Sequence, residues 1–157
     1  DALDHLPAEY QDILRTKARQ AQAVLAAVIG EQQRAGTAPS LLHGDAHAGN
    51  LMVHNGRVVF IDLDTLACGP REFDLVPAAV AHTRIHRNRS RWRALRTGYG
   101  DFDQDTVTRL AVVRETTMNT WLATRWGIDL YSRDELTRRL DTWDHPNPGD
   151  AGAWTAF

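Results

Sequence analysis

The sequence predicts an α+β fold that is mainly helical and carries one small β-hairpin. Two observations lead there. Apolar residues recur at steps of three and four over 7–29 and again over 106–126, the period of an amphipathic helix. Between those stretches, Asn55-Gly56 separates two short apolar runs, 51–54 and 57–61, the strongest two-residue signal for a type I′ hairpin.

The first helix has Tyr10, Ile13, Leu14, Ala18, Ala21, Val24, Leu25, Val28 and Ile29 on one stripe, with Pro7 suited to its first turn and Gly30 to its end. Residues 34–40, with Gly36 and Pro39, then read as a loop. In the hairpin the turn fixes the pairing: His54 faces Arg57, Val53 faces Val58, Met52 faces Val59, Leu51 faces Phe60 and Asn50 faces Ile61. Asn50 and Asp62 therefore meet at its open end. Beyond Asp64 the pattern turns helical: 73–86 with Pro77 in the first turn, 91–99 with Trp92, Leu95 and Tyr99, and 106–126 with Val107, Leu110, Val113, Thr117, Trp121 and Leu122 on one side. Ser132 followed by Glu135 reads as a capping box opening a last helix through Leu140 and Trp143, and the tail from His145 looks loose.

A length of 157 residues suits one domain, and a net charge of -2 gives no overall pull toward nucleic acid or anionic membrane. Cys68 is the only cysteine, so a reducing, cytoplasmic setting is expected and the thiol is read as a small buried residue. No apolar run approaches a membrane span. The chain opens at Asp1 without a methionine, so a processed product or a piece of something longer is the expectation.

The stretch 41–64, LLHGDAHAGNLMVHNGRVVFIDLD, concentrates the chemistry. Mg²⁺ takes hard oxygen ligands and keeps several waters, so one or two carboxylates and an amide oxygen suffice to hold it. Asn50 and Asp62 meet that need, while Asp45 lies on the loop leading into the same hairpin, where it could accept a proton from an attacking hydroxyl. A carboxylate base beside such a pair is the minimal outfit for phosphoryl transfer, which depends mostly on positioning and charge neutralisation.

His43-Gly44-Asp45, Asn50 five residues after the aspartate, and the later Ile61-Asp62 resemble the catalytic-loop and metal-site signature of the aminoglycoside phosphotransferase and choline kinase family, relatives of protein kinases. Gly69-Pro70-Arg71-Glu72-Phe73-Asp74-Leu75 is similar to the segment where that family places an aspartate heading a helix. The resemblance implies a small-molecule kinase: Asp45 as base, Asn50 and Asp62 as Mg²⁺ ligands touching the nucleotide, and Asp64 as a further acid near the metal. It also implies that His43 braces the loop, that Asp74 anchors it, and that ATP or GTP is the donor. Residues 1–157 would form one domain, the C-terminal lobe of a kinase-like fold, with the catalytic loop and hairpin at 41–64 and a helical acceptor-side subdomain at about 72–145. One departure stands out: the sequence has no G-x-G-x-x-G loop, Gly98-x-Gly100 being followed by Asp103, and its single lysine is Lys17 inside the first helix. The nucleotide lobe is thus expected to come from elsewhere, with the isolated chain inactive and self-association possible through the uncovered lobe face.

Other readings remain open at this level. His43, Asp45 and His47 alternate like a strand and read alternatively as a zinc hydrolase site, and a lobe that keeps its motif could serve only as a binding scaffold. Arginines 84, 87, 89, 91 and 93 around Trp92 are read as a solvated face in preference to a nucleic-acid site. In the last third, where family members build the acceptor pocket, Asp129, Asp134, Glu135, Asp141, Asp144 and Asp150 would suit a polycation such as an aminoglycoside. Trp126 and Trp143 would suit an amino alcohol such as choline, and Trp121 reads as core.

Overall fold

The computed structural model describes residues 3–85, 89–145 and 154–155, apart from the side chain of Arg89. Helix α1 (Ala8–Arg34) is followed by strand β1 (Ser40–Leu42), a 3-10 turn (Ala48–Asn50), the hairpin strands β2 (Leu51–His54) and β3 (Arg57–Phe60), and strand β4 (Ala67–Gly69). A second 3-10 turn (Arg71–Leu75) leads into helices α2 (Val76–Thr83), α3 (Arg89–Tyr99), α4 (Gln104–Thr124) and α5 (Leu130–Thr142). The described chain is mainly helical with two small antiparallel sheets, β1 on β4 and β2 on β3. None of its described helices is long and apolar enough to cross a membrane.

The hairpin has the register read from the sequence, from Leu51 opposite Phe60 to His54 opposite Arg57. Asn55 and Gly56 both take positive φ, 50° and 72°, as a type I′ turn requires. The pairing extends one step further, because the Ile61 N–H donates to the Asn50 carbonyl at 2.9 Å. By contrast, α1 runs through Gly30 and spans 27 residues, about 40 Å. It stops where the Gly36 N–H reaches Gln33 O and the Thr37 N–H reaches Gln32 O, with Gly36 at φ 68°. That is a Schellman closure, which needs a left-handed residue just past the helix and has one at Gly36.

The core has two centres joined along α1 and α4. One gathers Leu14, Leu122, Leu136, Leu140, Trp143 and Trp154. The other gathers Val28, Leu75, Val76, Val80, Trp92, Val107 and Leu110. Between them the buried face of α4 is polar, carrying Glu115, Thr116 and Asn119. Glu115 accepts from Arg84 Nε at 2.7 Å and from Trp143 Nε1 at 2.7 Å, and Arg84 Nη2 also donates to Trp143 O. On α5, Arg139 is fully buried, donating from Nε to Glu135 at 2.7 Å and from Nη2 to Thr155 O at 2.7 Å. Burial lowers its pKa to about 10, which leaves it cationic at neutral pH.

These polar contacts redirect several sequence expectations. Trp121 is 47% exposed, with the Arg125 guanidinium over its ring, because the stripe of α4 that faces the core runs through Asn119 and Leu122. Cys68 is exposed: it pairs with Leu41 across the β1–β4 ladder, and both lie on the outer face. Helix α5 begins earlier than the capping-box reading, with Asp129 as N-cap accepting from Ser132 N at 2.7 Å. The tail is not loose at its end, since Trp154 is buried and its N–H donates to Arg84 O at 2.8 Å. Trp92 is buried beside His82 and Phe102, and Arg84 is paired with Glu115, so neither presents itself to a nucleic acid. Arg87, the side chain of Arg89 and Asp150 lie outside the described residues.

Candidate functional site

The loop 43–50 is held by backbone bonds to a carboxylate and by a single glycine. Asp74, in the second 3-10 turn, accepts the His43 N–H at 2.8 Å on one oxygen and the Gly44 N–H at 2.9 Å on the other. Gly44 takes φ 82°, and a Cβ there would lie 2.3 Å from the Thr65 carbonyl oxygen. Both the left-handed backbone and the close approach demand glycine.

His43 is buried and joins the loop to the hairpin. Its Nε2 lies 3.0 Å from the Ile61 carbonyl, which can only accept, and its Nδ1 receives the Asp45 N–H at 3.3 Å. The two bonds fit a neutral imidazole with its hydrogen on Nε2. The ring also packs on Phe60, centroids 4.9 Å apart. Asn50 is buried and donates from Nδ2 to the Asp45 carbonyl at 3.0 Å. Asp45, Asn50, His43 and the Ile61-Asp62 end of the hairpin thus form one bonded unit.

Asp62 sits at φ 62°; with Asn55 it is one of two non-glycine residues of positive φ among the described residues. Such a backbone costs about 1–2 kcal/mol, and Asp and Asn tolerate it best. Asp62 and Asp64 are exposed, and neither carboxylate makes a hydrogen bond or ion pair. The Asn50 Nδ2 is spent on the loop, which leaves the amide oxygen for a ligand. The available donors are therefore hard oxygens, a set that fits Mg²⁺. The zinc reading does not assemble: both His43 ring nitrogens are engaged, and His47 Nδ1 accepts the Gly49 N–H at 3.0 Å. Among the described residues no three His, Cys, Asp or Glu side chains form a metal-holding group.

The sequence did not point to Arg114. From α4, its Nη1 lies 2.6 Å from Asp45 Oδ1, while His47 Nε2 stands 3.5 Å from Oδ2. The Arg114 contact is an ion pair without hydrogen-bond alignment, so the buried Oδ1 accepts no hydrogen bond. Asp45 and Arg114 share a cavity of about 120 Å³ with Thr65, Phe73, Pro77 and Thr117. No spacing rule pairs residues 45 and 114; only the packing of α4 against α2 and the second 3-10 turn makes them neighbours.

The residues expected around the acceptor serve other contacts. Asp129 caps α5, and the Ser132 N–H, its hydroxyl and Arg125 hold the carboxyl below the usual carboxylate range. Asp134 is exposed and lies 3.7 Å from Arg133, and Trp126 packs edge-on against Tyr10, centroids 5.6 Å apart. Asp144 pairs with Lys17, and that ammonium also lies over the Trp143 ring.

The sequence profile of the phosphotransferase enzyme family matches residues 1–115, more than half of the chain. The chain belongs to this family. The match of the phosphotransferase-family chain includes the loop, the hairpin, Asp74 and Arg114, and it stops before Trp126, Asp129 and Asp134. No curated protein and no solved structure gives a significant match.

Proposed function

We propose that this phosphotransferase-family chain is the C-terminal lobe of a kinase-like enzyme that transfers the γ-phosphoryl group of ATP or GTP to a hydroxyl of a small molecule. The observation that carries the reading is the bonded unit itself: one imidazole touches both the Asp45 N–H and the Ile61 carbonyl beside Asp62, and Asn50 is tied to Asp45. Asp45 would take the proton as the acceptor oxygen bonds to phosphorus and the bridging oxygen leaves with the nucleoside diphosphate. Asn50 and Asp62, with Asp64 nearby, would hold Mg²⁺, which supplies charge neutralisation to the phosphates when bound. The strained backbone at Asp62 supports this role, since such conformations concentrate at functional positions.

The nucleotide lobe would lie outside these residues. Lys17 is buried against Asp144 and Trp143, so no lysine of this chain is placed to meet nucleotide phosphates. The hairpin leaves Leu51, Met52, Val53, Val58 and Phe60 exposed, an apolar surface suited to a covering lobe or, without one, to self-association. We infer a cytoplasmic setting from the unpaired Cys68 alone.

Mn²⁺ in place of Mg²⁺ tests the reading without turnover. Paramagnetic broadening should begin at Asn50 and residues 62–64, and Asp62→Ala should weaken it by at least about 10-fold. Uniform broadening, or broadening indifferent to Asp62→Ala, rejects the assignment. In an enzyme completed with a nucleotide lobe, Asp45→Asn should lower kcat by about 10²- to 10⁴-fold, the range for losing a general base, with nucleotide affinity little changed.

A further inference from the structure

The structure assigns Arg114 a specificity role: we propose that the acceptor is a small hydroxy acid, its carboxylate held by Arg114 while its hydroxyl faces Asp45. This deepens the phosphotransferase reading and rests on it.

The argument starts from charge. Of the residues lining the cavity beside the loop, only Asp45 and Arg114 are ionised, and they lie against each other. A hydroxyl that reaches Asp45 must approach to about 2.6–3.2 Å. Whatever follows that hydroxyl along the acceptor is then beside the guanidinium. An ammonium group there would meet a cation in a partly buried pocket. A carboxylate would meet a planar fork of five N–H donors, whose geometry matches two carboxylate oxygens.

The fork has donors to spare. Arg114 makes one contact, to Asp45 Oδ1, and that contact is not an aligned hydrogen bond. Its side chain is 22% exposed, and the remaining N–H groups are open to the cavity and its solvent. Among the described residues those N–H groups meet no acceptor other than Asp45. A bound anion would complete the fork.

Size narrows the class. The cavity, about 120 Å³, is well below the ~300–1,000 Å³ of sites for larger ligands. The separation narrows it further. Arg114 and Asp45 are 2.6 Å apart, so a hydroxyl and a carboxylate on the same or neighbouring carbons can meet both. Phe73 and Pro77 offer the carbon skeleton an apolar wall, while the Thr65 and Thr117 hydroxyls, whose hydrogens go to His43 O and Val113 O, can accept from a second hydroxyl of the acceptor.

Binding to the chain itself tests this, with D-glycerate as the acid probe and glycerol and ethanolamine as neutral and cationic controls. Amide shifts of Gly44, Asp45, Thr65 and Arg114 should saturate with D-glycerate at least about tenfold more tightly than with either control. Arg114→Gln should abolish the response. Arg114→Lys, which keeps the charge and loses the fork, should weaken it by about tenfold or more, and serves if the glutamine variant fails to fold. Equal or tighter binding of ethanolamine or glycerol overturns the proposal, as does glycerate binding indifferent to Arg114. So does the absence of any shift at these amides up to about 10 mM. Site-specific Mn²⁺ broadening at Asn50 and Asp62 with no glycerate response would reject the acid acceptor alone. Glycerate binding without that broadening would reject the phosphotransferase reading instead.

Discussion

Asp74 is the residue whose loss should tell most about the loop. It accepts two backbone N–H groups, one on each oxygen, at 2.8 and 2.9 Å. Hydrogen bonds to a charged group contribute about 1.5–3 kcal/mol each. Asp74 is half-buried, so water recovers part of that in a variant, and Asp74→Ala should cost about 2–4 kcal/mol. Against a total of about 5–15 kcal/mol this is a large fraction. With a urea slope of about 2 kcal/mol/M, the midpoint should fall by roughly 1–2 M. Asp74→Asn distinguishes hydrogen bonding from packing: the amide keeps the shape and one acceptor but turns an NH₂ toward a backbone N–H. It should lose at least half of what alanine loses. Hydrogen exchange at the His43 and Gly44 amides should accelerate in both variants. An alanine variant within about 0.5 kcal/mol of the parent, with those two amides still protected, would refute the anchoring.

Other expectations follow from the same contacts. Gly44→Ala combines about 1–2 kcal/mol of left-handed backbone cost with a Cβ 2.3 Å from Thr65 O, so amides 43–45 should shift and thermal stability drop; an unchanged spectrum would sink the clash argument. Glu115→Ala strands the Arg84 guanidinium in the interior and should cost about 3–5 kcal/mol by calorimetry, far more than an exposed carboxylate would. The Glu31, Asp103 and Asp129 carboxyls are held below their usual range, chiefly by the Arg109 guanidinium, the Thr106 hydroxyl and the Ser132 N–H respectively. Folded, they bind fewer protons than unfolded, so their stabilisation is complete above pH ~5 and is lost as pH falls through the folded values. Urea midpoints measured from pH 6 to pH 2.5 should therefore decline below about 5, with a shallower fall in Glu31→Gln.

How far the sequence could be read depended on whether the deciding interaction was local. Asn55-Gly56 determines its own turn, and the turn determines the register, so β2 and β3 were legible to the residue. Gly30 was misleading because a glycine ends a helix only where it turns left-handed and the N–H groups at and after it close on the last helical carbonyls; Gly36 does so and Gly30 does not. Two capping side chains, Asp129 and Ser132, were available near the start of α5, and the earlier one caps it. Helix α4 was harder: its buried face carries Glu115 and Asn119, which only the arrival of Arg84 and Arg139 makes tolerable inside a core. An apolar stripe drawn from the sequence alone therefore drifts to Trp121. The β1–β4 pair, three residues on each side, and the Asp45–Arg114 contact join segments 25 and more residues apart with no periodic trace.

The site residues were legible as types, yet their order in space rests on His43. A lone two-stranded hairpin is marginal in water, and β2–β3 pairs with neither β1 nor β4. Something outside the hairpin has to fix its open end, and the contacts name it. His43 bonds Ile61 O, packs its ring on Phe60 and takes the Asp45 N–H on its other nitrogen, while Asp74 secures its own backbone. A displacement of this one ring therefore moves Asp45 and the Asp62 end of the hairpin together. Histidine suits the position because one small ring can donate to a carbonyl on one side while accepting an amide on the other. Phenylalanine would keep the contact with Phe60 and lose both bonds. In His43→Phe the hairpin strands would remain paired through Asn55-Gly56, but Asn50 and Asp62 would no longer be referenced to Asp45, so the loss would fall on the site more than on the fold.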